Sequence, residues 1–219
     1  MKYKAIFLDV DGVLVDSEKL FNICWRKAAE KEGYKMTFEQ ALELRSLDSQ
    51  LAKELFKSWY GDDRAYPAIR DVRKRLMSEL ILREPITVKN GVKDLLNELK
   101  TRNIKAVIVT SSPISRITKY IESIGIDIKM FDEIITTENV KRGKPFPDVY
   151  QYACKTLGYK PTECIAVEDS PNGVKSANSA GCFTIMIPDL SPYTKELSPI
   201  VDMKASTLED VRCFLIDNC

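Results

Sequence analysis

A chain of 219 residues has room for one large core with an inserted module. With 33 Lys and Arg against 32 Asp and Glu, its net charge of +1 excludes a nucleic-acid binder that works through bulk positive charge. No stretch reaches the roughly 20 apolar residues of a membrane span, and the absence of histidine leaves acid–base chemistry to carboxylates and lysines.

The six cysteines form no C-x-x-C pair, so neither a zinc ribbon nor a dithiol redox motif is indicated. Met1-Lys2-Tyr3-Lys4 leads into an apolar run that meets Asp9 too soon for a secretory signal. Reduced thiols and a cytoplasmic setting are expected.

The first predicted element is a strand over Lys4–Leu8, which runs straight into Asp9-Val10-Asp11-Gly12. Residues i and i+2 of an extended chain share a side, so Asp9 and Asp11 can converge where the strand ends. Two carboxylates that close repel each other. A divalent cation relieves the repulsion, and carboxylate oxygens suit magnesium, which also takes phosphate oxygens. An ordinary Asp-Gly turn after a buried strand would have the same local sequence. From Ser17 to Arg83 the pattern is helical throughout, with helices predicted at Glu18–Glu32, Thr37–Leu44, Leu47–Tyr60 and Arg64–Leu82. Thr37-x-x-Gln40 reads as a capping box, Gly33 as a helix stop and Gly61-Asp62-Asp63 as a turn. The chain enters this segment through Asp16-Ser17 and returns near Glu84-Pro85-Ile86.

Beyond that point, strand-like and helix-like stretches alternate. Short apolar runs at Lys105–Val109, Glu133–Ile135, Cys164–Val167 and Cys182–Ile187 read as strands buried on both faces. Amphipathic stretches lie around Val92–Leu99, Ile114–Ile124, Val149–Leu157 and Val174–Ala180. The alternation predicts an α/β fold, a doubly wound parallel sheet with an inserted all-helical module. The expected division is residues 1–16 plus 85–219 for the sheet domain and 17–84 for the helical one. Ligands in such folds bind at the carboxyl ends of strands, near a switch in strand order.

Three further segments sit at or near strand ends. Thr110-Ser111-Ser112 follows Ala106–Val109 and offers hydroxyls and N–H groups to an anion; helix capping ahead of Pro113 is the structural alternative. Gly143-Lys144-Pro145-Phe146-Pro147-Asp148 places a lysine on a stiffened backbone, suited to touching a phosphate or orienting a carboxylate, where a solvated loop lysine is the alternative. Glu168-Asp169-Ser170 ends the run Cys164–Val167 and again suggests a cation; there Asp169 or Ser170 would otherwise cap the next helix. The order of all four along one alternating chain is hard to reconcile with chance.

These motifs carry a family resemblance. Asp9-Val10-Asp11-Gly12-Val13-Leu14, Thr110, Lys144 in Gly-Lys-Pro-Phe-Pro-Asp, and Glu168-Asp169-Ser170-Pro171-Asn172-Gly173 resemble the motif set of the haloacid dehalogenase superfamily, in the group with a helical cap after the first strand. The Glu168-Asp169-Ser170 form is similar to that of the β-phosphoglucomutase-like and sugar-phosphate phosphatase branch. The resemblance implies that Asp9 attacks phosphorus and Asp11 serves as general acid, then base. It implies that Thr110 and the Ser111 N–H hold the phosphoryl group and that Lys144 neutralises its charge. It places Mg2+ on Asp9, Asp11 and Asp169, with Glu168 assisting. Asp11 favours phosphoryl transfer over dehalogenation, which needs neither that residue nor a metal.

The resemblance also sets a cap histidine near Phe21 and a cap arginine near Ser49 in sugar mutases, and neither residue is present. The expected activity is therefore magnesium-dependent hydrolysis of a small phosphorylated metabolite, a sugar or polyol phosphate, through an aspartyl-phosphate. A phosphomutase and a catalytically silent metabolite-binding regulator are the alternatives. Glu18, Asn22 and Arg45 are the candidate substrate residues of the cap, with Phe21 giving a less polar pocket wall. No nucleic-acid or membrane partner is expected, and the chain is expected to be a monomer.

Overall fold

The apolar run ahead of Asp9 forms strand β1, Ala5–Leu8, with all four residues buried. In the computed structural model, which describes residues 2–83 and 86–218, β1 lies inside a six-stranded parallel sheet. The other strands are β2 (Lys105–Thr110), β3 (Glu133–Thr136), β4 (Cys164–Glu168), β5 (Phe183–Met186) and β6 (Met203–Lys204). Their order is β3-β2-β1-β4-β5-β6. The connections from β1 therefore run in opposite directions across the sheet, and the switch point lies at the carboxyl end of β1. Leu8 is level with Ile108 of β2 and Val167 of β4. Asp9 and Glu168, which follow Leu8 and Val167, thus emerge side by side, with Thr110 one residue further along at the end of β2.

Alternation along each strand divides the core. Ile6, Leu8, Ile108, Ile165 and Val167 face one layer, where they meet α5 (Val92–Thr101), α6 (Ile114–Ser123) and α9 (Leu208–Asn218). Ala5, Phe7, Val107, Val109 and Ala166 face the other, packed on α7 (Asp148–Leu157) and α8 (Pro171–Ala180). This is the doubly wound parallel sheet expected from the alternating pattern. The predicted strands at residues 105, 133 and 164 each run one residue further than their apolar runs, because Thr110, Thr136 and Glu168 still pair with neighbouring strands. β6 and α9 were not predicted.

Between β1 and α5 lie α1 (Glu18–Lys31), α2 (Phe38–Glu43), α3 (Ser49–Tyr60) and α4 (Ala65–Arg83), with no strand among the described residues. They share an apolar core of their own, centred on Trp25, Phe56, Tyr66 and Ile69. The Thr37 capping box forms: Gln40 N donates to Thr37 Oγ1 at 3.1 Å and Thr37 N to Gln40 Oε1 at 2.9 Å. α3 begins at Ser49 and not at Leu47, because Asp48 caps it, accepting from Gln50 N at 2.8 Å. The two chain crossings run side by side, with Asp16 N donating to Thr87 O and Lys89 N to Leu14 O, each at 2.9 Å. Of the predicted return at Glu84-Pro85-Ile86, Glu84 and Pro85 lie outside the described residues. Among the described residues no helix is long and apolar enough to cross a membrane.

Candidate active site

Asp9 follows β1 directly, and its N–H donates to Val167 O at 3.2 Å, which locks the start of the loop to β4. The chain then folds back tightly: Leu14 N donates to Val10 O and Gly12 N to Val15 O, both at 2.9 Å. Gly12 has φ +86°, and a Cβ there would overlap the Asp169 carboxylate. Only glycine gives both the left-handed backbone and the close approach.

The loop presents Asp9 and Asp11 to one cavity of about 390 Å³, which also takes in Thr110, Ser111, Glu18 and Arg45. Asp11 is held at both oxygens. Ser17 Oγ donates to Oδ1 at 2.5 Å and Ser112 Oγ to Oδ2 at 2.7 Å. The hydroxyls after β2 do not cap α6, which starts at Ile114 behind Pro113 without a side-chain cap. Thr110 Oγ1 accepts from Ser112 N at 3.1 Å, and Ser111 Oγ donates to Ser46 O at 3.3 Å.

Lys144 is wholly buried. Its ammonium donates to Asp9 Oδ1 at 2.8 Å, Glu168 Oε1 at 2.6 Å and Val109 O at 3.0 Å. Every proton of the ammonium thus has an acceptor, which is what burying a charge requires. Burial favours the neutral amine, but Asp9 and Glu168 outweigh it and hold the group above the ordinary lysine range. Glu168 also accepts from the Tyr150 hydroxyl, and its carboxylate lies against Gly173, where a Cβ would overlap it. Ser170 caps α8 by accepting from Gly173 N at 3.1 Å, so Asp169 is free of that duty.

The acids are crowded. Carboxylate oxygens of Asp9, Glu168 and Asp169 lie within 4.8 Å of one another. Glu168 Oε2 and Asp169 Oδ1 are buried without a hydrogen-bond partner. Burial first, and the neighbouring negative charges after it, push Asp9 up to about 8 and Asp169 well above the carboxylate range, against the pull of Lys144 and Arg45 respectively. Unpartnered, hard oxygen donors with surplus negative charge fit a hard divalent cation such as Mg2+.

The candidate cap residues reach the same cavity. Arg45 pairs with Asp169 Oδ2, donates to Ser191 Oγ at 2.7 Å and lies 3.0 Å from Glu18 Oε2. Its backbone is gripped by the core, since Asn172 Nδ2 donates to Arg45 O at 2.8 Å. Arg45 therefore faces the acid cluster first. Glu18 is pushed up to about 7 by burial, against the pull of Arg45. Asn22 donates to Phe38 O at 3.1 Å and keeps a buried, unpartnered Oδ1. Phe21 does line the cavity, but two arginines, Arg73 and Arg116, lie against its ring, so that wall is cationic. Sequence reasoning missed Ser17, Ser112 as a partner of Asp11, Tyr150, Ser191 and the arginines. Only Asp189, an acid shortly after β5 that lies 3.0 Å from Lys89, repeats the strand-end pattern that flagged the others.

Known proteins resemble this chain over most of its length. Hexitol phosphatase A of Escherichia coli (strain K12) is 33% identical over 215 residues, covering 96% of this chain and 94% of that protein. A phosphorylated carbohydrates phosphatase of Thermotoga maritima is 28% identical over 182 residues, covering 81% and 82%. A hydrolase crystal structure from Pseudomonas syringae, 21% identical, superposes with a TM-score of 0.86 over 99% of both chains. The family model for haloacid dehalogenase-like hydrolases matches residues 3–181, a span that holds every strand-end motif from Asp9 to Gly173, and the chain belongs to that family.

Proposed function

We propose that this hydrolase is a magnesium-dependent phosphatase of a small phosphorylated metabolite, a sugar or polyol phosphate, working through an aspartyl-phosphate. The observation that carries the reading is the convergence of Asp9, Glu168 and Asp169 at the ends of two adjacent parallel strands, with Lys144 bonded to Asp9 and Glu168, beside the cavity that Asp9 and Asp11 line. The names of the relatives from E. coli and T. maritima support the substrate class.

Lys144 engages Asp9 Oδ1, and among the described residues Oδ2 accepts no hydrogen bond, so Oδ2 is the attacking oxygen. The ester P–O bond breaks as the Oδ2–P bond forms, and a protonated Asp11 gives its proton to the departing alkoxide. Water then attacks phosphorus, yields a proton to Asp11 and returns Asp9 as a carboxylate with release of inorganic phosphate. Ser17 and Ser112 fix the Asp11 carboxyl for both steps. Thr110 and the Ser111 N–H hold the equatorial oxygens, and Lys144 opposes the charge that builds on the phosphoryl group. Asp9, Asp169 and the Asp11 carbonyl, with Glu168 behind them, would hold magnesium, which supplies further neutralisation of phosphate charge when bound. The helices α1–α4, residues 17–84, act as the cap that excludes bulk water.

The test is release of p-nitrophenol from p-nitrophenyl phosphate in the presence of magnesium. The native protein turns over, and Asp9→Asn loses at least a thousandfold while keeping its circular dichroism spectrum. A variant that retains a tenth of the native rate would remove Asp9 as the nucleophile.

A further inference from the structure

The roof of the cavity carries charge that the proposed phosphatase chemistry does not use. Arg73 of α4 is buried, and its Nε and Nη1 have no hydrogen-bond partner. Arg70, one turn before it, and Arg116 of α6 line the same cavity. Among the described residues none of the three has a salt bridge to a carboxylate. Aromatic rings hold them instead: the Arg73 guanidinium lies 4.8 Å from the Trp25 ring centre and 5.4 Å from that of Phe21. Arg116 lies 5.2 Å from the centre of the Phe21 ring, and Arg70 lies 5.9 Å from that of Tyr66.

Ring faces attract a cation but satisfy none of its N–H groups. A buried guanidinium with idle donors and like charges beside it is an unbalanced arrangement, since a buried charge needs a partner to offset its desolvation. Burial first, and then Arg116 and Arg70, push Arg73 down to about 10. What the arrangement lacks is an oxyanion, which a guanidinium accepts through paired N–H donors.

The place is also the right one relative to the reacting group. Arg116 Nη1 donates to Ser112 Oγ at 3.1 Å, and that hydroxyl donates to Asp11 Oδ2 at 2.7 Å. One serine thus separates Arg116 from the proposed acid–base carboxylate. The cluster is built from α4 and α6, not from the start of α3 near Ser49, where the resemblance sets a cap arginine.

We infer that Arg73 and Arg116, with Arg70 beside them, form a second oxyanion subsite, and that the natural substrate carries a second acidic group, a carboxylate or a second phosphate, in addition to the phosphate that is removed. The inference rests on the phosphatase reading. It explains why a phenylalanine stands at residue 21: its ring holds two guanidinium groups in place without consuming their hydrogen bonds.

The experiment compares matched substrates by phosphate release with magnesium present. 3-Phosphoglycerate is set against glycerol 3-phosphate, which lacks the carboxylate, and glucose 1,6-bisphosphate against glucose 6-phosphate, which lacks the second phosphate. We expect the two-anion member of one pair to be favoured at least tenfold in kcat/KM, mainly through KM. The pair that shows it tells carboxylate from phosphate. Arg73→Met and Arg116→Met should each reduce the preference to within about threefold, and Arg73→Lys should keep part of it. Melting curves establish that the variants are folded. No preference in either pair, or a preference that survives both methionine variants, overturns the subsite. If p-nitrophenyl phosphate is not turned over, the phosphatase reading has failed independently. Binding is then read by thermal shift of Asp9→Asn with each anion. A larger shift for a two-anion member that Arg73→Met abolishes sustains the subsite, and equal shifts discard it.

Discussion

Glu18 is a buried acid beside a guanidinium, 3.0 Å from Arg45, and burial outweighs the pair. Its folded-state value of about 7 stands above the ordinary 4.5. Between these values the unfolded chain has released the proton and the folded chain has kept it, so stability falls as pH rises through this window. Glutamine mimics the protonated acid at every pH. Glu18→Gln should therefore gain stability over the native protein between pH 5 and pH 7.5, by up to about 3 kcal/mol, read by urea denaturation at both pH values. A difference that does not change with pH would mean that Arg45 keeps Glu18 ionised throughout. At this scale the proposed nucleophile was legible, because the i, i+2 parity of Asp9 and Asp11 is a local property of the chain. Their partners were not. Ser17, Ser112 and Tyr150 look like a helix entry, a cap and a core aromatic in the sequence. Only the fold shows that they hydrogen-bond to Asp11 and Glu168.

Helices α1–α4 pack around one aromatic knot. Phe56 is fully buried, and its ring centre lies 5.8 Å from that of Trp25, 5.3 Å from Trp59 and 5.2 Å from Tyr66. Phe56→Ala should cost about 3–5 kcal/mol, as the loss of a large buried ring does. Urea unfolding followed by tryptophan fluorescence measures it, and a loss under 1 kcal/mol would show that the helices take their stability from the sheet domain instead. Element type was readable in most places because the strands are buried on both faces and so appear as unbroken apolar runs. β6 escaped because it has two residues, neither of them buried. α9 escaped because its apolar residues, Leu208, Val211 and Leu215, are followed closely by Asp217 and the end of the given sequence. The start of α3 was displaced because Asp48, which looks like a helix interior residue after Leu47, caps the helix.

Taken whole, the molecule gathers its charges where α1–α4 meet the sheet. Arg45 and a divalent cation would share Asp169, one bringing a fixed single charge and the other a double charge. Chelation with EDTA should stop turnover, and magnesium should restore it. Calcium should support it poorly because its looser coordination misplaces the nucleophile. Arg45→Met should bind magnesium several-fold more tightly, measured by calorimetry without substrate. Weaker binding in that variant would mean that Arg45 positions Asp169 for the ion and does not compete with it.

The same meeting place has a fastening of a different kind. Asp48 N donates to Lys144 O, and Gly143 N donates to Asp48 Oδ2, each at 2.7 Å. The first is worth about 1 kcal/mol net and the second, to a carboxylate, about 1.5–3 kcal/mol, and they act beside Asn172 Nδ2 donating to Arg45 O and Ser111 Oγ donating to Ser46 O. The latch grips the very peptide that bears Lys144. The ammonium itself is held by Asp9, Val109 and Glu168, so the latch ties α3 to the segment that carries the buried charge without holding the charge itself.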